Sequence, residues 1–227
     1  MSAPDLNNGR VTISKEQLAE LEPAQCSGEI VVVDSTELLE KALETLRKAG
    51  TVGFDTETRP SFRKGQTYNV SLLQFSTGKK TFLIRLNKLG LTKKLIEFIE
   101  DESIKKIGLS IKDDFHNLNK LQPLNPVNFI DLQNYVKGFK IADNSLSKIY
   151  AILFGKRICK GQRLTNWESD PLTPQQQQYA ALDAIACLDI YQHLETKGFK
   201  PEKSPYYTTE PIVTPGTQQD TDTPSDQ

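Results

Sequence analysis

The chain has 227 residues, 28 basic and 29 acidic side chains and a net charge of −1. That length suits one globular domain with tails, and the charge balance excludes a global polycationic surface, so any nucleic-acid site must be local. Cys26, Cys159 and Cys187 are odd in number and lack Cys-x-x-Cys spacing, which argues against a disulfide framework and a structural zinc. There is no basic-then-apolar leader and no apolar run of about 18 residues. The expectation is a soluble intracellular protein, cytoplasmic if bacterial, with no membrane association.

In chain order, the polar segment Met1–Arg10 reads as mobile, and Ile13–Leu21 as a short helix. Ile30–Val33 is a β-branched run. Asp34 then stands where it can cap a helix whose third residue is Glu37. Leu38, Leu39, Ala42, Leu43 and Leu46 recur at helical spacing until Gly50. Val52-Gly53-Phe54-Asp55-Thr56-Glu57 follows, the one place where two carboxylates sit inside an apolar strand pattern. At i and i+2 of a strand they face the same way, and two like charges on a buried face call for a cation or donors. Taken alone, Asp-x-Glu fits equally a strand that ends at Phe54 and enters a polar turn.

Residues 58–67 form a loop carrying Arg59, Arg63 and Lys64. Tyr68–Phe75 and Thr81–Leu86 are β-rich and separated by Thr77-Gly78-Lys79-Lys80, a hairpin signature. Leu91–Ile99 reads as an amphipathic helix, Lys105–Leu109 as a strand, and a helix is predicted from about Asp113 with Phe115, Leu118 and Leu121 on one face. Asn128–Leu132 is extended, and Leu146–Phe154 is a helix ended by Gly155. Between Asn144 and Trp167 stand Lys148, Lys156, Arg157, Lys160 and Arg163 with no acid. This is a local basic patch or a solvated helix-loop edge. Thr173-Pro174-Gln175-Gln176 opens a helix with N-cap, first-position proline and third-position glutamine, running to about Thr196. It carries Tyr179 and Asp183 one turn apart on one face. From Lys200 a polar, disordered tail is expected.

Four carboxylates make a constellation: Asp55, Glu57, Asp114 and Asp183. Oxygen-only ligation suits magnesium or manganese, and two such ions about 4 Å apart can hold the attacking and leaving oxygens of a phosphodiester cleavage. His116 and His193 are the only histidines and read as surface or helix-packing residues.

Asp55-x-Glu57, then Ile107-Gly108-Leu109-Ser110-Ile111-Lys112-Asp113-Asp114, then Tyr179-x-x-x-Asp183 resemble the three exonuclease motifs of the DEDDy group of 3′-5′ exonucleases. Ribonuclease D and the exonuclease domain of the Werner-syndrome helicase are the relatives in view. Pro60-Ser61-Phe62-x-x-Gly65, Ser71-Leu72-Leu73-Gln74 and Lys160-x-x-Arg163-x-x-x-Trp167 with Pro171-Leu172-Thr173 extend the resemblance over about residues 30–196. Where histidine-type relatives carry His, this chain has Gln178, so the tyrosine class fits.

The resemblance implies an α/β ribonuclease H-like fold, a mixed five- to six-stranded sheet flanked by helices. Residues 1–28 would be an N-terminal extension with a short helix, 29–199 the exonuclease domain and 200–227 the tail. It implies two divalent cations, Mg²⁺ or Mn²⁺. Asp55, Glu57 and Asp183 would hold the ion that activates water. Asp55 would also face the second ion, with Asp114 supporting that ion directly or through water. Tyr179 would orient the attacking water or help deprotonate it. Spacing from Gly108 favours Asp114 as the inward acid, with Asp113 facing solvent as a candidate N-cap. Lys160 and Arg163 would meet backbone phosphates unless they are simply solvated. Phe62 would stack a terminal base, and Trp167 would order the basic loop from the core.

The expected activity is metal-dependent removal of nucleotides from the 3′ end of DNA or RNA as nucleoside 5′-monophosphates, with the substrate chosen by a protein partner such as a helicase or by end structure alone. The alternative is a catalytically silent nucleic-acid-binding or adaptor module on the same fold. An internally cutting nuclease of the same broad fold is disfavoured by the Tyr179–Asp183 pair.

Overall fold

The computed structural model describes residues 9–210. Strand β1 (Arg10–Val11) leads to helix α1 (Lys15–Glu20), capped by Ser14. Strand β2 (Glu29–Val33) and helix α2 (Thr36–Ala49) come next. The cap of α2 falls one residue later than expected: the Ser35 hydroxyl accepts from Leu38 N–H, while Asp34 instead lies 3.6 Å from the Lys88 ammonium. Gly50 ends α2 at φ 67°, a left-handed conformation that suits glycine.

Three strands follow: β3 (Thr51–Thr58), β4 (Val70–Ser76) and β5 (Lys80–Arg85), then the short helix α3 (Leu86–Leu89). Helix α4 (Lys93–Ile99), strand β6 (Lys105–Gly108), helix α5 (Ile111–Leu121), strand β7 (Phe129–Asp131) and helix α6 (Leu132–Tyr135) complete the middle of the chain. Helix α5 starts two residues earlier than expected. Its N-cap is Ser110 rather than Asp113, which lies exposed in the first turn. Helix α7 (Leu146–Phe154) ends at Gly155 as predicted. Helix α8 (Pro174–Lys197) opens with the full Thr173–Gln176 capping box.

The six long strands form one mixed sheet in the order β2-β5-β4-β3-β6-β7. β3-β4-β5 are antiparallel around the Thr77–Lys80 hairpin, and β2, β6 and β7 join in parallel. One face, through Val52, Phe54, Leu73 and Phe75, packs on Leu39, Leu43 and Leu46 of α2, on Leu95 and Phe98 of α4, and on Ile111 and Leu118 of α5. The other face is covered by α8, which is buried at every residue from Ala180 to Leu188 because α7 and the 158–172 segment lie over its outer side. A helix buried on all sides accepts charge only at a site that compensates it, so Asp183 stands out.

The polar stretch after Lys200 begins with structure. A 3₁₀ turn (Pro201–Lys203) leads to strand β8 (Tyr207–Thr208), which pairs antiparallel with β1. Tyr206 and Tyr207 pack on the cluster of Val11, Ile13 and Ile141. The rest of the expected tail, 211–227, and residues 1–8 lie outside the described residues. No described helix is long and apolar enough to cross a membrane.

Candidate active site

Alternation along β3 decides the site. Val52, Phe54 and Thr56 face the α2/α5 side, so Gly53, Asp55 and Glu57 face α8. A Cβ on Gly53 would lie 1.9 Å from the Ala184 carbonyl oxygen, so only glycine lets α8 come down onto the strand. That approach brings Asp183 to Asp55 and Glu57. One carboxylate oxygen from each of the three lies within 4.8 Å of the others.

The electrostatics of this trio are unfavourable without a cation. Burial, then Asp183 and Asp114, raise the Asp55 pKa well above the usual carboxylate range. Burial, followed by Asp55, Asp183 and Asp114, pushes Glu57 up to about 10, against an opposing pull from Arg163. Burial raises Asp183 to about 7, opposed by the Tyr179 hydroxyl and Lys160. Among the described residues no Lys or Arg nitrogen comes within 4.0 Å of any of the three. A hard divalent cation fits this all-oxygen set and removes the penalty. Burial and then Asp183 and Glu57 raise the Tyr179 pKa, so its phenol stays protonated and bonds Asp183.

A cleft of about 330 Å³ opens over Asp55 and Asp183, lined also by Tyr179, Lys160 and Arg163 among others. The basic loop is moored from below. Gln176 Nε2 donates to Thr165 Oγ1 and Asn166 O, both at 3.0 Å, and Arg85 Nη2 donates to Ser169 O at 2.7 Å. Trp167 is fully buried, its ring 6.0 Å from that of Tyr179, so it anchors the loop from the core as expected. Neither mooring residue stood out in the sequence: Gln176 showed only its capping role, and Arg85 only a charge at the end of an apolar strand.

Asp114 is not part of the trio. Its Oδ1 accepts from the Thr56 hydroxyl on the opposite face of β3, and burial raises its pKa to about 6 with Thr56 opposing. Its charge still reaches Asp55 and Glu57. Phe62 lies in a neighbouring cleft of about 410 Å³ with Arg59, Arg63, Tyr68 and Leu164, rather than over the acids. His116 is exposed, and His193 packs edge-on to Phe154 at 5.1 Å.

A family profile described as 3′-5′ exonuclease matches residues 30–198. The chain belongs to the 3′-5′ exonuclease family. The Tyr179–Asp183 spacing and its two companion motifs place it with the DEDDy type of that family. It is 30% identical over 171 residues to the mouse bifunctional 3′-5′ exonuclease/ATP-dependent helicase WRN, covering 73% of this chain and 12% of that protein. It is 33% identical over 154 residues to an Arabidopsis thaliana 3′-5′ exonuclease, covering 63% and 52%. The chain therefore spans only part of each relative. The structure of Trypanosoma brucei RNase D in complex with RNA U12 superposes with a TM-score of 0.66 at 21% identity, covering 75% of this chain and 64% of that one. The shared fold is ribonuclease H-like, with six strands in the sheet.

Proposed function

We propose that this family member is a divalent-metal-dependent exonuclease that shortens DNA or RNA from the 3′ end and releases nucleoside 5′-monophosphates. The observation that carries this is the trio of Asp55, Glu57 and Asp183, converging from β3 and α8 with no Lys or Arg nitrogen within 4.0 Å among the described residues, beside a cleft lined by Lys160, Arg163 and Tyr179. Magnesium or manganese held by the trio supplies charge neutralisation and Lewis-acid activation at the scissile phosphate. Two ions are the stoichiometry we infer: Asp55, Glu57 and Asp183 would hold one, and Asp114, which bonds Thr56 on the opposite face of β3, would serve the second through water rather than as a direct ligand.

The chain's own groups do the rest. Lys160 and Arg163 bind the backbone phosphates without reading sequence. The Tyr179 hydroxyl, whose one proton is given to Asp183 in the metal-free site, would be released when Asp183 turns to the cation and would then donate the hydrogen bond that orients the attacking water. Water attacks phosphorus and the bond to the 3′ oxygen of the preceding nucleotide breaks. One water proton ends on that oxygen and the other in solvent, leaving a strand with a 3′-hydroxyl and a released 5′-monophosphate. RNA enters as a candidate substrate through the Trypanosoma brucei relative, which was captured with RNA U12.

The test is cleavage of 5′-labelled single-stranded DNA and RNA of one sequence with manganese, magnesium or chelator, alongside Asp55→Asn. A ladder that shortens from the 3′ end and needs both metal and Asp55 is expected, and the preferred sugar sets the substrate class. Binding without metal-dependent shortening would overturn the proposal in favour of a non-catalytic module.

A further inference from the structure

Among the described residues, three buried side-chain polar atoms have no hydrogen-bond partner: Gln74 Nε2, Gln74 Oε1 and Trp167 Nε1. Gln74 is fully buried at the centre of β4. Its cross-strand partner on β3 is Asp55, and on the other side it opposes Leu83 of β5. Directly opposed residues of an antiparallel pair share a face with Cβ atoms about 5 Å apart, so the carboxamide and the Asp55 carboxylate leave the sheet side by side beneath α8. Along β4 the same face carries Leu72 and Ser76, and the Ser76 hydroxyl is already engaged by Gly78 N–H and Thr81 Oγ1. Asp55 is therefore the polar side chain across the strand that the amide can serve.

We propose that Gln74 is a positioning residue whose carboxamide N–H binds the Asp55 carboxylate when that acid holds the cation. This rests on the trio being a metal site. An unpaired buried amide destabilises a core in which leucine would pack without penalty, so its presence beside Asp55 needs an occasion on which it is satisfied. Loading of the cation is that occasion. With one Asp55 oxygen engaged by the ion, the other would accept from Gln74, its cross-strand neighbour. A carboxamide suits this post better than lysine or arginine, because it fixes the carboxylate's orientation without cancelling the charge that attracts the cation. With Nε2 turned to Asp55, Oε1 is left as an acceptor. Trp167 Nε1, the third unpartnered atom, is a donor, and its ring packs with Leu72 and Leu83, which flank Gln74 on that face.

The experiment is manganese titration by calorimetry on the full chain, with thermal melts in chelator, for wild type, Gln74→Met, Gln74→Leu and Asp55→Asn. Loss of a hydrogen-bond partner behind a metal ligand weakens binding by about 10-fold or more. Both Gln74 variants should show that loss while melting, metal-free, at or above the wild-type temperature, and kcat should fall with KM unchanged. Manganese affinity within about twofold of wild type in folded Gln74 variants would overturn the proposal. So would a loss of affinity that appears only together with a lowered melting temperature. If Asp55→Asn binds manganese like wild type, the metal-site reading fails. If Asp55→Asn loses binding and the Gln74 variants keep it, only the role of Gln74 fails.

Discussion

Replacing Asp183 by Asn should stabilise the metal-free protein at alkaline pH while destroying its activity. The folded-state pKa of Asp183 is pushed up to about 7 from an ordinary 3.8, mainly by burial. The folded state then holds its proton more tightly than the unfolded chain, so stability falls as pH rises. The penalty is absent below about pH 4, grows between about 4 and 7, and is complete above 7. At ~1.4 kcal/mol per pH unit, the gap between 3.8 and about 7 comes to about 4 kcal/mol. For a chain of this size that is a rise in melting temperature of roughly 8–16 °C, reduced by whatever the Tyr179 contact loses. The assay is urea unfolding of both proteins in chelator from pH 4 to 8.5. The curves should coincide near pH 4 and separate upward to pH 7, with Asp183→Asn above wild type; added manganese should close the gap by stabilising wild type alone. A variant less stable than wild type at pH 8, or a difference independent of pH, would refute the reasoning.

Tyr179→Phe should fold normally and lose kcat about 100-fold with KM little changed, the size expected for one oriented donor; unaltered kcat in steady-state assays would remove Tyr179 from the chemistry. Arg163→Ala should weaken oligonucleotide binding and reduce the slope of log affinity against log salt by about 0.7 for single strands. An unchanged slope in salt titrations would show that Arg163 touches no phosphate. Phe62→Ala should leave the melting temperature unchanged, since the side chain is 80% exposed, and weaken binding of short oligonucleotides by about 1–3 kcal/mol if a base stacks there. Equal affinities in fluorescence anisotropy would dismiss the stacking role.

The fold was legible wherever local signals governed. The Thr173–Gln176 box, the Gly50 and Gly155 stops and the Thr77–Lys80 hairpin stand where the sequence places them, because each depends on residues three or four apart. The pairing of β1 with β8 was not legible: two-residue strands nearly 200 positions apart carry no periodic signal, and only the Tyr206-Tyr207 pair inside a polar stretch hinted at burial. In the site, strand parity correctly put Asp55 and Glu57 on one face, and one helical turn put Tyr179 beside Asp183. The position of Asp114 escaped because it depends on where α5 begins. With Ser110 at φ 61° forming the turn, the helix enters from the Phe54 face and delivers Asp114 to Thr56. Gln74 and Gln176 escaped for a different reason. An amide gives no charge pattern, and its role exists only in what the fold sets beside it.

The buried charges of this molecule show what sequence alone could not separate. Lys106 is wholly buried and burial brings its pKa down to about 8, yet its ammonium donates to the carbonyls of Ile99, Asp101 and Val127 at 3.0, 2.7 and 2.8 Å, which uses all three of its protons. Arg85, equally buried, meets Ser169 O and Asn87 Oδ1. These two cations are satisfied inside the protein and hold it together. The acids are treated oppositely: Asp55, Glu57 and Asp183 crowd one another, while the nearest basic side chains, Lys160 and Arg163, stay beyond ion-pair distance on an outer loop. Among the described residues the two fully buried cations are met by hydrogen bonds, while Asp55, half-buried, and Glu57 and Asp183, buried, have no cation within ion-pair distance. The oxygen-only donor set fits a hard divalent cation, the occupant we propose for it.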